Sequence, residues 1–324
     1  MIAPTDRAVH CQYHQVLQLS GDYSRGFPLH FRSVLPFRTM NAVYTDTQQN
    51  KLRCLIPDLI RSRELLLDLV SKELRARYRN AMMGFLWAVL QPLLMMLILT
   101  FVFTLVFANR AADRGVATDQ IPFAVFLLCG LVPWQFLAAA LSTATTSLVD
   151  NHELIKKVYF PREVIPLAAV LNRVVNFLIG FALLIVVRTV MMGLPGVGML
   201  YVPFIFAVQL TLIVGVALLF SCFNVYFRDV AYSVEVLLTF GFYASPVFYG
   251  LSNVQDLGAA HPWLYRLYML NPMAGIITAY RDAFLHNRVP DGALLLWPMA
   301  LAAGMLAVGL VVFRRHAPVM ADHL

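Results

Sequence analysis

Charge is scarce in this sequence. Only 13% of its 324 residues are charged, whereas 60% are hydrophobic, and the mean hydropathy is +0.69. Soluble domains are about half apolar and about a quarter charged, so this composition indicates a membrane protein. The net charge of +7 fits basic cytoplasmic loops better than nucleic-acid binding, because aromatic residues are not interleaved with the basic ones.

The motifs of self-sufficient enzymes are also missing. No glycine is followed by lysine, which excludes a phosphate-binding P-loop, and neither HExxH nor GxSxG occurs. The four cysteines form no CxxC pair, which favours small buried residues over metal ligands or disulfides. The histidines at His152, His261 and His286 are isolated and make weak catalytic candidates. We therefore predict a chain that is not an enzyme and holds no metal or cofactor of its own.

Six apolar stretches are long enough to cross a bilayer, which takes about 20 residues. They are residues 85–107, 123–148, 165–187, 201–223, 231–249 and 293–313. Lys and Arg concentrate before the first stretch, after the second and after the sixth, which predicts that both termini are cytoplasmic. We predict one transmembrane domain over 85–315, a disordered cytoplasmic tail over 1–50 and a second cytoplasmic tail over 316–324.

Residues 51–84 combine an apolar stripe with basic residues at helical spacing. Leu66, Val70 and Leu74 recur on one side, and arginines supply the other. This pattern predicts an amphipathic helix that lies in the headgroup plane, with its basic side near anionic lipid. The alternative is ordinary basic flanking sequence that only sets the orientation of the first span.

A charged insert separates the second and third apolar stretches. Asp150 as an N-cap with Glu153 three residues later predicts a short helix over Glu153–Phe160, which Pro161 ends. One face of this helix is apolar and lies beside two lysines. The segment is either a surface that another protein pushes or a solvated basic loop.

The segment between the fifth and sixth stretches is long and partly apolar. Asn271 as N-cap and Pro272 at the first helical position predict a helix start. We expect two short helices that dip into the outer leaflet without crossing it, as an exit gate or a rigid lid. The fold class is therefore predicted as an all-α membrane protein with six transmembrane helices, an N-terminal interfacial amphipathic helix, a cytoplasmic coupling helix and two short re-entrant helices before the last span.

Two charged residues fall inside predicted spans, where ionisable groups are costly. Arg173 in the third and Glu235 in the fifth lie at similar depth, which predicts an intramembrane ion pair rather than a proton relay. Aromatic residues gather near span ends, where most are expected to form interfacial belts and a minority to line a channel or gate. The candidates for that minority are Trp87, Trp134, Tyr243, Phe248 and Tyr249.

Several short sequences, in order between Glu64 and Arg315, resemble one family. They are residues 77–79 (RYR), 84–87 (GFLW), 91–93 (QPL), 154–167 (LIKKVYFPREVIPL), 224–230 (NVYFRDV), 245–249 (SPVFY) and 270–275 (LNPMAG). As a set they resemble the ABC-2 type permeases that export bacterial polysaccharides. The residues before the amphipathic helix depart from that family.

The resemblance implies a homodimer of six-span subunits in the bacterial inner membrane, bound to two copies of a separate ATP-binding cassette subunit that holds the ATP and Mg. Movement of that subunit would reach the chain through the insert and a second turn. The residues expected to couple to it are Glu153, Leu154, Ile155, Lys156, Lys157, Val158, Tyr159, Phe160, Arg162, Arg228 and Asp229.

The implied cargo is a lipid-linked polysaccharide. Residues 154–167 and 224–230 look more like the O-antigen branch, whose glycan is carried on undecaprenyl pyrophosphate, than like the capsule branch. Arg75, Arg77 and Arg79 would collect the pyrophosphate headgroup, because guanidinium groups match phosphate oxygens. Alternatives are a capsule or teichoic acid exporter, an exporter of drugs or small lipids, a membrane enzyme and a secondary transporter.

Overall fold

The protein is described by a computed structural model, which covers residues 63–79, 84–102, 121–157, 160–252, 254 and 261–320. These residues form helices, and no strand occurs among them. In chain order the helices are α1 (Arg63–Arg79), α2 (Gly84–Phe101), α3 (Phe123–Asp150), α4 (His152–Lys157), α5 (Val164–Met192), α6 (Val202–Tyr226), α7 (Val230–Tyr243), α8 (Pro262–Met269), α9 (Pro272–Phe284) and α10 (Gly292–His316).

Four helices are long and apolar enough to cross a membrane. They are α3, α5, α10, and α6 together with the 3₁₀ turn Val197–Tyr201 that precedes it. They correspond to the second, third, sixth and fourth apolar stretches. Helix α2 covers the start of the first stretch, and the remainder of that stretch lies outside the described residues, as does the predicted tail over 1–50.

Helix α3 is the centre of the bundle. It contacts α2, α5, α6, α7 and α9, and its most apolar window is largely buried by protein. Aromatic side chains of neighbouring helices pack against it. The Phe136 ring of α3 is stacked on Phe206 with the centroids 5.9 Å apart, and it is tilted against Phe177 at 5.1 Å. A helix that is apolar all round belongs at such a central position, because every face is covered.

Helices α6 and α10 approach each other through two glycines. A Cβ atom at Gly309 would lie 2.4 Å from the carbonyl oxygen of Gly215, and one at Gly215 would lie 2.4 Å from the backbone nitrogen of Leu306. Small residues let helix backbones come close enough for extensive van der Waals contact where the hydrophobic effect is weak. The two helices therefore pack as one tight pair.

The fifth predicted span is shorter than expected. Helix α7 has 14 residues and ends at Tyr243, and residues 245–249 form bends instead of the continuous helix to Tyr249 that the apolar stretch predicts. Pro246 explains the difference, because it lacks an N–H and disfavours helical backbone at the preceding residue. Fourteen residues give about 21 Å of helix against about 30 Å of bilayer core.

Two short helices precede α10, as predicted. The Asn271 side chain accepts a hydrogen bond of 3.0 Å from the Met273 backbone, which confirms the predicted N-cap of α9, with Pro272 at the first position. Ten of the 13 residues of α9 are buried, whereas none of α8 is. Helix α9 is therefore held inside the protein although it is too short to cross a bilayer.

Candidate functional site

The predicted coupling segment contains a short helix, α4, but this helix does not have the predicted N-cap. Asp150 is the last residue of α3 rather than the N-cap of α4, so the predicted capping box is wrong. The chain turns at Asn151, whose backbone and side-chain nitrogens donate to the Ser147 carbonyl at 3.2 and 2.8 Å. The Asn151 carbonyl in turn accepts hydrogen bonds from Leu154 and Ile155 at 3.0 and 3.2 Å. Asn151 thus ends one helix and begins the next.

One side of α4 is anchored in the protein. Ile155 is only 7% exposed, whereas Glu153 and Lys156 are exposed and Leu154 is half-buried. Ile155 belongs to a small apolar group that we call the inner cluster. The inner cluster consists of Leu148, Ile155, Ile165, Leu218, Cys222, Val225, Phe313 and Met320. Of the other predicted residues here, Phe160 packs against this cluster, while Val158, Tyr159 and the Lys157 side chain lie outside the described part of the chain.

The segment after α4 is fastened to the end of α10. Arg162 donates a hydrogen bond from Nη1 to the Ala317 carbonyl, and the Glu163 carboxylate lies 3.4 Å from Arg314 Nε. Sequence reasoning placed Arg162 on the partner-facing surface, but the structure turns its guanidinium toward its own chain. Arg314 went unnoticed as a partner of Glu163 because 151 residues separate the two in sequence.

The turn between α6 and α7 presents an exposed surface close to the same inner cluster. Arg228 and Asp229 are exposed as expected, and the neighbouring Phe227 is 68% exposed. The Asn224 side chain accepts a 3.2 Å hydrogen bond from the Ala231 backbone, which fixes the start of α7. Phe227, Arg228 and Asp229 therefore leave the turn open to contact with another protein.

The arginines of α1 are described only in part. Arg75 is exposed, and Arg77 and Arg79 continue the helix, but their side chains lie outside the described part. No sequence pattern indicated how α1 is attached to the bundle. Asn172 Nδ2 of α5 donates a 2.7 Å hydrogen bond to the carboxylate of Glu73 on α1. This contact joins the amphipathic helix to the second long apolar helix of the bundle.

The structure does not bring Arg173 and Glu235 together. Arg173 of α5 donates to the Thr143 hydroxyl from Nε at 3.0 Å and from Nη2 at 2.6 Å. Glu235 is exposed on α7, and among the described residues no ion pair joins it to Arg173. The physical reason is the packing order, because both helices pack against the central α3, whereas α5 and α7 share no substantial contact.

The predicted channel aromatics occupy different environments. Trp87 and Tyr243 are exposed, Phe248 and Tyr249 are half-buried, and Trp134 is buried at the edge of an apolar cleft between α3, α6, α7, α9 and α10. The Tyr268 hydroxyl of α8 donates to the Tyr249 hydroxyl at 3.2 Å. The rings of Tyr243, Phe248 and Tyr249 are in consecutive contact, with centroids 6.0 and 6.1 Å apart, whereas Trp134 reaches Phe248 only through Phe242.

Sequence reasoning missed Arg281, which organises the bend after α7. Its guanidinium is buried and donates to the carbonyl oxygens of Val247 at 2.7 Å and Tyr249 at 3.0 Å. It also lies 3.6 Å from the centroid of the Phe126 ring. A lone arginine in a short helix gives no signal for this role, because its partners are backbone atoms distant in sequence.

Comparison with known proteins identifies the family. Residues 64–285 match the family described as ABC-2 type transporter. The chain is 34% identical over 249 residues to the O-antigen export system permease protein RfbA of Myxococcus xanthus, covering 77% of this chain and 90% of that protein.

More distant relatives have similar names. A protein of the same name from Klebsiella pneumoniae is 32% identical over 226 residues, which is 69% of this chain and 81% of the relative. The polysialic acid transport protein KpsM of Escherichia coli is 22% identical over 255 residues, which is 77% of this chain and 92% of the relative. The helical bundle, the coupling segment and this match over more than half of the sequence agree, and the chain belongs to the ABC-2 type transporter family.

Proposed function

We propose that this chain is the membrane permease subunit of an ATP-driven exporter of a lipid-linked polysaccharide, with the glycan carried on undecaprenyl pyrophosphate as in O-antigen export. The observation that carries the proposal is the geometry of α4. One face is fixed by Ile155 in the inner cluster, while Glu153 and Lys156 point away from the bundle. An anchored helix with an exposed charged face transmits force from a separate protein into the helices that it joins.

The force comes from an ATP-binding cassette subunit that binds the exposed faces of α4 and of the turn at Arg228 and Asp229. Two such subunits serve a permease homodimer in the inner membrane, with both termini of the permease in the cytoplasm. ATP and Mg belong to the partner, and the permease is not an enzyme. This arrangement is supported by the family and by the basic residues near α4 and at the end of α10.

The lipid carrier determines how the glycan enters. Arg75, Arg77 and Arg79 of α1 attract the pyrophosphate headgroup at the cytoplasmic leaflet, since arginine binds phosphate oxygens in a bidentate manner. The hydrogen bond between Glu73 and Asn172 supports this proposal, because it holds the α1 helix against the bundle. In this proposal the predicted cytoplasmic tails over 1–50 and 316–324 stand on either side of the interfacial helix and the transmembrane domain over 85–315.

The glycan leaves through the opposite side of the membrane. Helices α8 and α9 are re-entrant in the outer leaflet and close the exit, and Tyr243, Phe248 and Tyr249 lie along the path beside them. Tyr243 and Glu235 are both exposed on α7, and their polar groups support a glycan pathway next to this otherwise largely apolar helix. Trp87 on α2 contributes from the same pathway, whereas Trp134 is buried at its edge.

A capsule or teichoic acid exporter is the second candidate. The similarity to a polysialic acid transport protein supports it, although that protein is 22% identical, whereas O-antigen permeases are 31–34% identical. A capsule exporter would differ from the proposed function in the lipid that carries the glycan, and this difference can be measured directly.

The test is depletion of the chain in its host, followed by extraction of lipid-linked glycan from the cytoplasmic side. We expect polymer on undecaprenyl pyrophosphate to accumulate inside while surface glycan disappears, and complementation with the wild-type chain to reverse both. Accumulation on another lipid would instead support the capsule candidate. Unchanged surface glycan without internal polymer, in a host with no second exporter, would contradict polysaccharide export.

A further inference from the structure

The last turn of α10 contacts both segments that face the proposed ATPase. On one side Arg314 lies 3.4 Å from the Glu163 carboxylate, and the Ala317 carbonyl accepts a hydrogen bond from Arg162. On the other side the His316 ring lies edge-on to the Tyr226 ring at the end of α6, with the ring centroids 5.8 Å apart. Arg314, His316 and Ala317 thus reach the coupling segment and the start of the α6–α7 turn together.

The contact with Glu163 is largely shielded from water. The side chains of Arg314 and Glu163 are only 14% and 13% exposed. Charges at such burial are costly unless they are paired, so the pair is specific in a way that exposed ion pairs are not. Basic residues at a helix C-terminus favour the helix dipole by themselves, but that effect does not require a carboxylate from a distant segment.

Apolar contacts reinforce the same junction. Phe313 and Met320, on either side of these three residues, are fully buried in the inner cluster that also holds Ile155 of α4. Farther along the same two helices, the close backbone approach at Gly215 and Gly309 packs α10 tightly against α6. A rigid connection therefore runs from α4 through α10 to α6.

We propose that Arg314, His316 and Ala317, which we call the α10 clasp, are positioning residues that make the coupling segment and the α6–α7 turn move as one body. The inference rests on the proposed function, because it assigns how the partner's movement enters the bundle. Without the clasp, α4 would move by itself about the turn at Asn151. The movement of the ATPase subunit would then not be transmitted to α6 and α10.

The clasp is tested by reversing its charges. The variants are Glu163→Arg, Arg314→Glu and the double reversal, with Arg315→Glu as the matched control because Arg315 is exposed on the same turn.

The distance between α4 and α7 is measured with two spin labels, placed at His152→Cys and Tyr232→Cys in a chain whose four native cysteines are replaced by alanine. The labelled full chain is diluted with unlabelled chain and purified with its ATPase subunit, and the distance between labels is measured with and without ATP.

We expect a narrow distance distribution in the wild type that ATP does not change, and a broad one in each single reversal. The double reversal should narrow it again. Export should fall about fivefold or more in the single variants while the ATPase subunit still co-purifies, consistent with loss of a coupling of about 1 kcal/mol or more. The Arg315→Glu control should match the wild type in both measurements.

Equal distributions in the wild type and in both single reversals would overturn the clasp, and so would a wild-type distance that changes with ATP. If the reversed variants do not fold, Glu163→Gln removes the charge while keeping the size of the side chain. A broader distance distribution in this variant would support the clasp, and one equal to the wild type would overturn it. Failure of the proposed function can be told apart from failure of the clasp. A wild-type complex that exports no glycan would contradict the export proposal, whereas the label distances test the clasp whether or not glycan is exported.

Discussion

The guanidinium of Arg281 lies 3.6 Å from the centroid of the Phe126 ring, with Arg281 in α9 and Phe126 in α3. Its Nη atoms donate to the carbonyl oxygens of Val247 and Tyr249, and its Nε is buried without a hydrogen-bond partner among the described residues. The flat cation therefore rests on an aromatic face while its edge holds the bend after α7.

This relationship predicts the effect of Arg281→Lys. An ammonium keeps the charge but cannot reach two carbonyls in a fixed fork, so the free energy of unfolding should fall by about 2 kcal/mol. Thermal unfolding of the detergent-purified protein measures this effect. Arg288→Lys is the control because Arg288 is exposed, and equal stability of the two variants would contradict the role of Arg281.

The glycine pair predicts a steric effect on α10. Gly309→Ala places a Cβ 2.4 Å from the Gly215 carbonyl oxygen, so the backbones must separate at a cost of about 1–3 kcal/mol. Gly304→Ala in the same helix has no atom within 4 Å of the new Cβ and should be neutral or slightly stabilising. Unfolding measurements that rank the two variants in the opposite order would refute the close approach.

Substitutions on the buried side and on the exposed side of α4 should have different effects, the first on stability and the second on binding of the ATPase subunit. Ile155→Ala removes buried atoms from the inner cluster and should cost about 2 kcal/mol or more of stability. Glu153→Lys changes an exposed residue and should alter stability by no more than about 0.5 kcal/mol, while weakening the complex with the ATPase subunit. Unfolding and co-purification are measured on both variants, and an unchanged complex with Glu153→Lys would remove Glu153 from the coupling surface.

The attachment of α1 predicts a difference between two substitutions of Glu73. Glu73→Leu leaves the buried Asn172 amide without its acceptor and should destabilise the protein by about 1–3 kcal/mol. Glu73→Gln keeps an acceptor oxygen and should lose less. Glu64→Leu, at an exposed position of the same helix, serves as the control in the same unfolding assay. Equal losses for Glu73→Leu and Glu64→Leu would indicate that the hydrogen bond does not hold α1.

Local features of the fold could be predicted from sequence. Four long apolar helices and the Asn271 cap of α9 depend on residues close together in the chain, and the structure confirms them. The end of α7 was missed because the apolar composition continues through Pro246, where the backbone cannot stay helical. Asn151 was missed as the turn because Asp150 offered an equally good capping pattern.

Contacts between distant residues could not be predicted in this way. Equal depth suggested Arg173 and Glu235 as partners, but depth does not specify which helices touch, and Thr143 on the central helix is the observed partner of Arg173. The pair of Glu163 and Arg314 and the backbone contacts of Arg281 depend on tertiary packing for the same reason. Contact of α4 with an ATPase stays a prediction.

The burial of α9 has a consequence for the order in which the chain is made. Helix α9 rests against α3 and α6, which are synthesised before it, and against α10, which is synthesised after it. At Gly275 the fit to α10 is so close that a Cβ would lie 2.6 Å from the Leu294 carbonyl oxygen. While the ribosome is still translating α10, α9 therefore lacks one wall of its site, and its packing is completed only when α10 has been inserted.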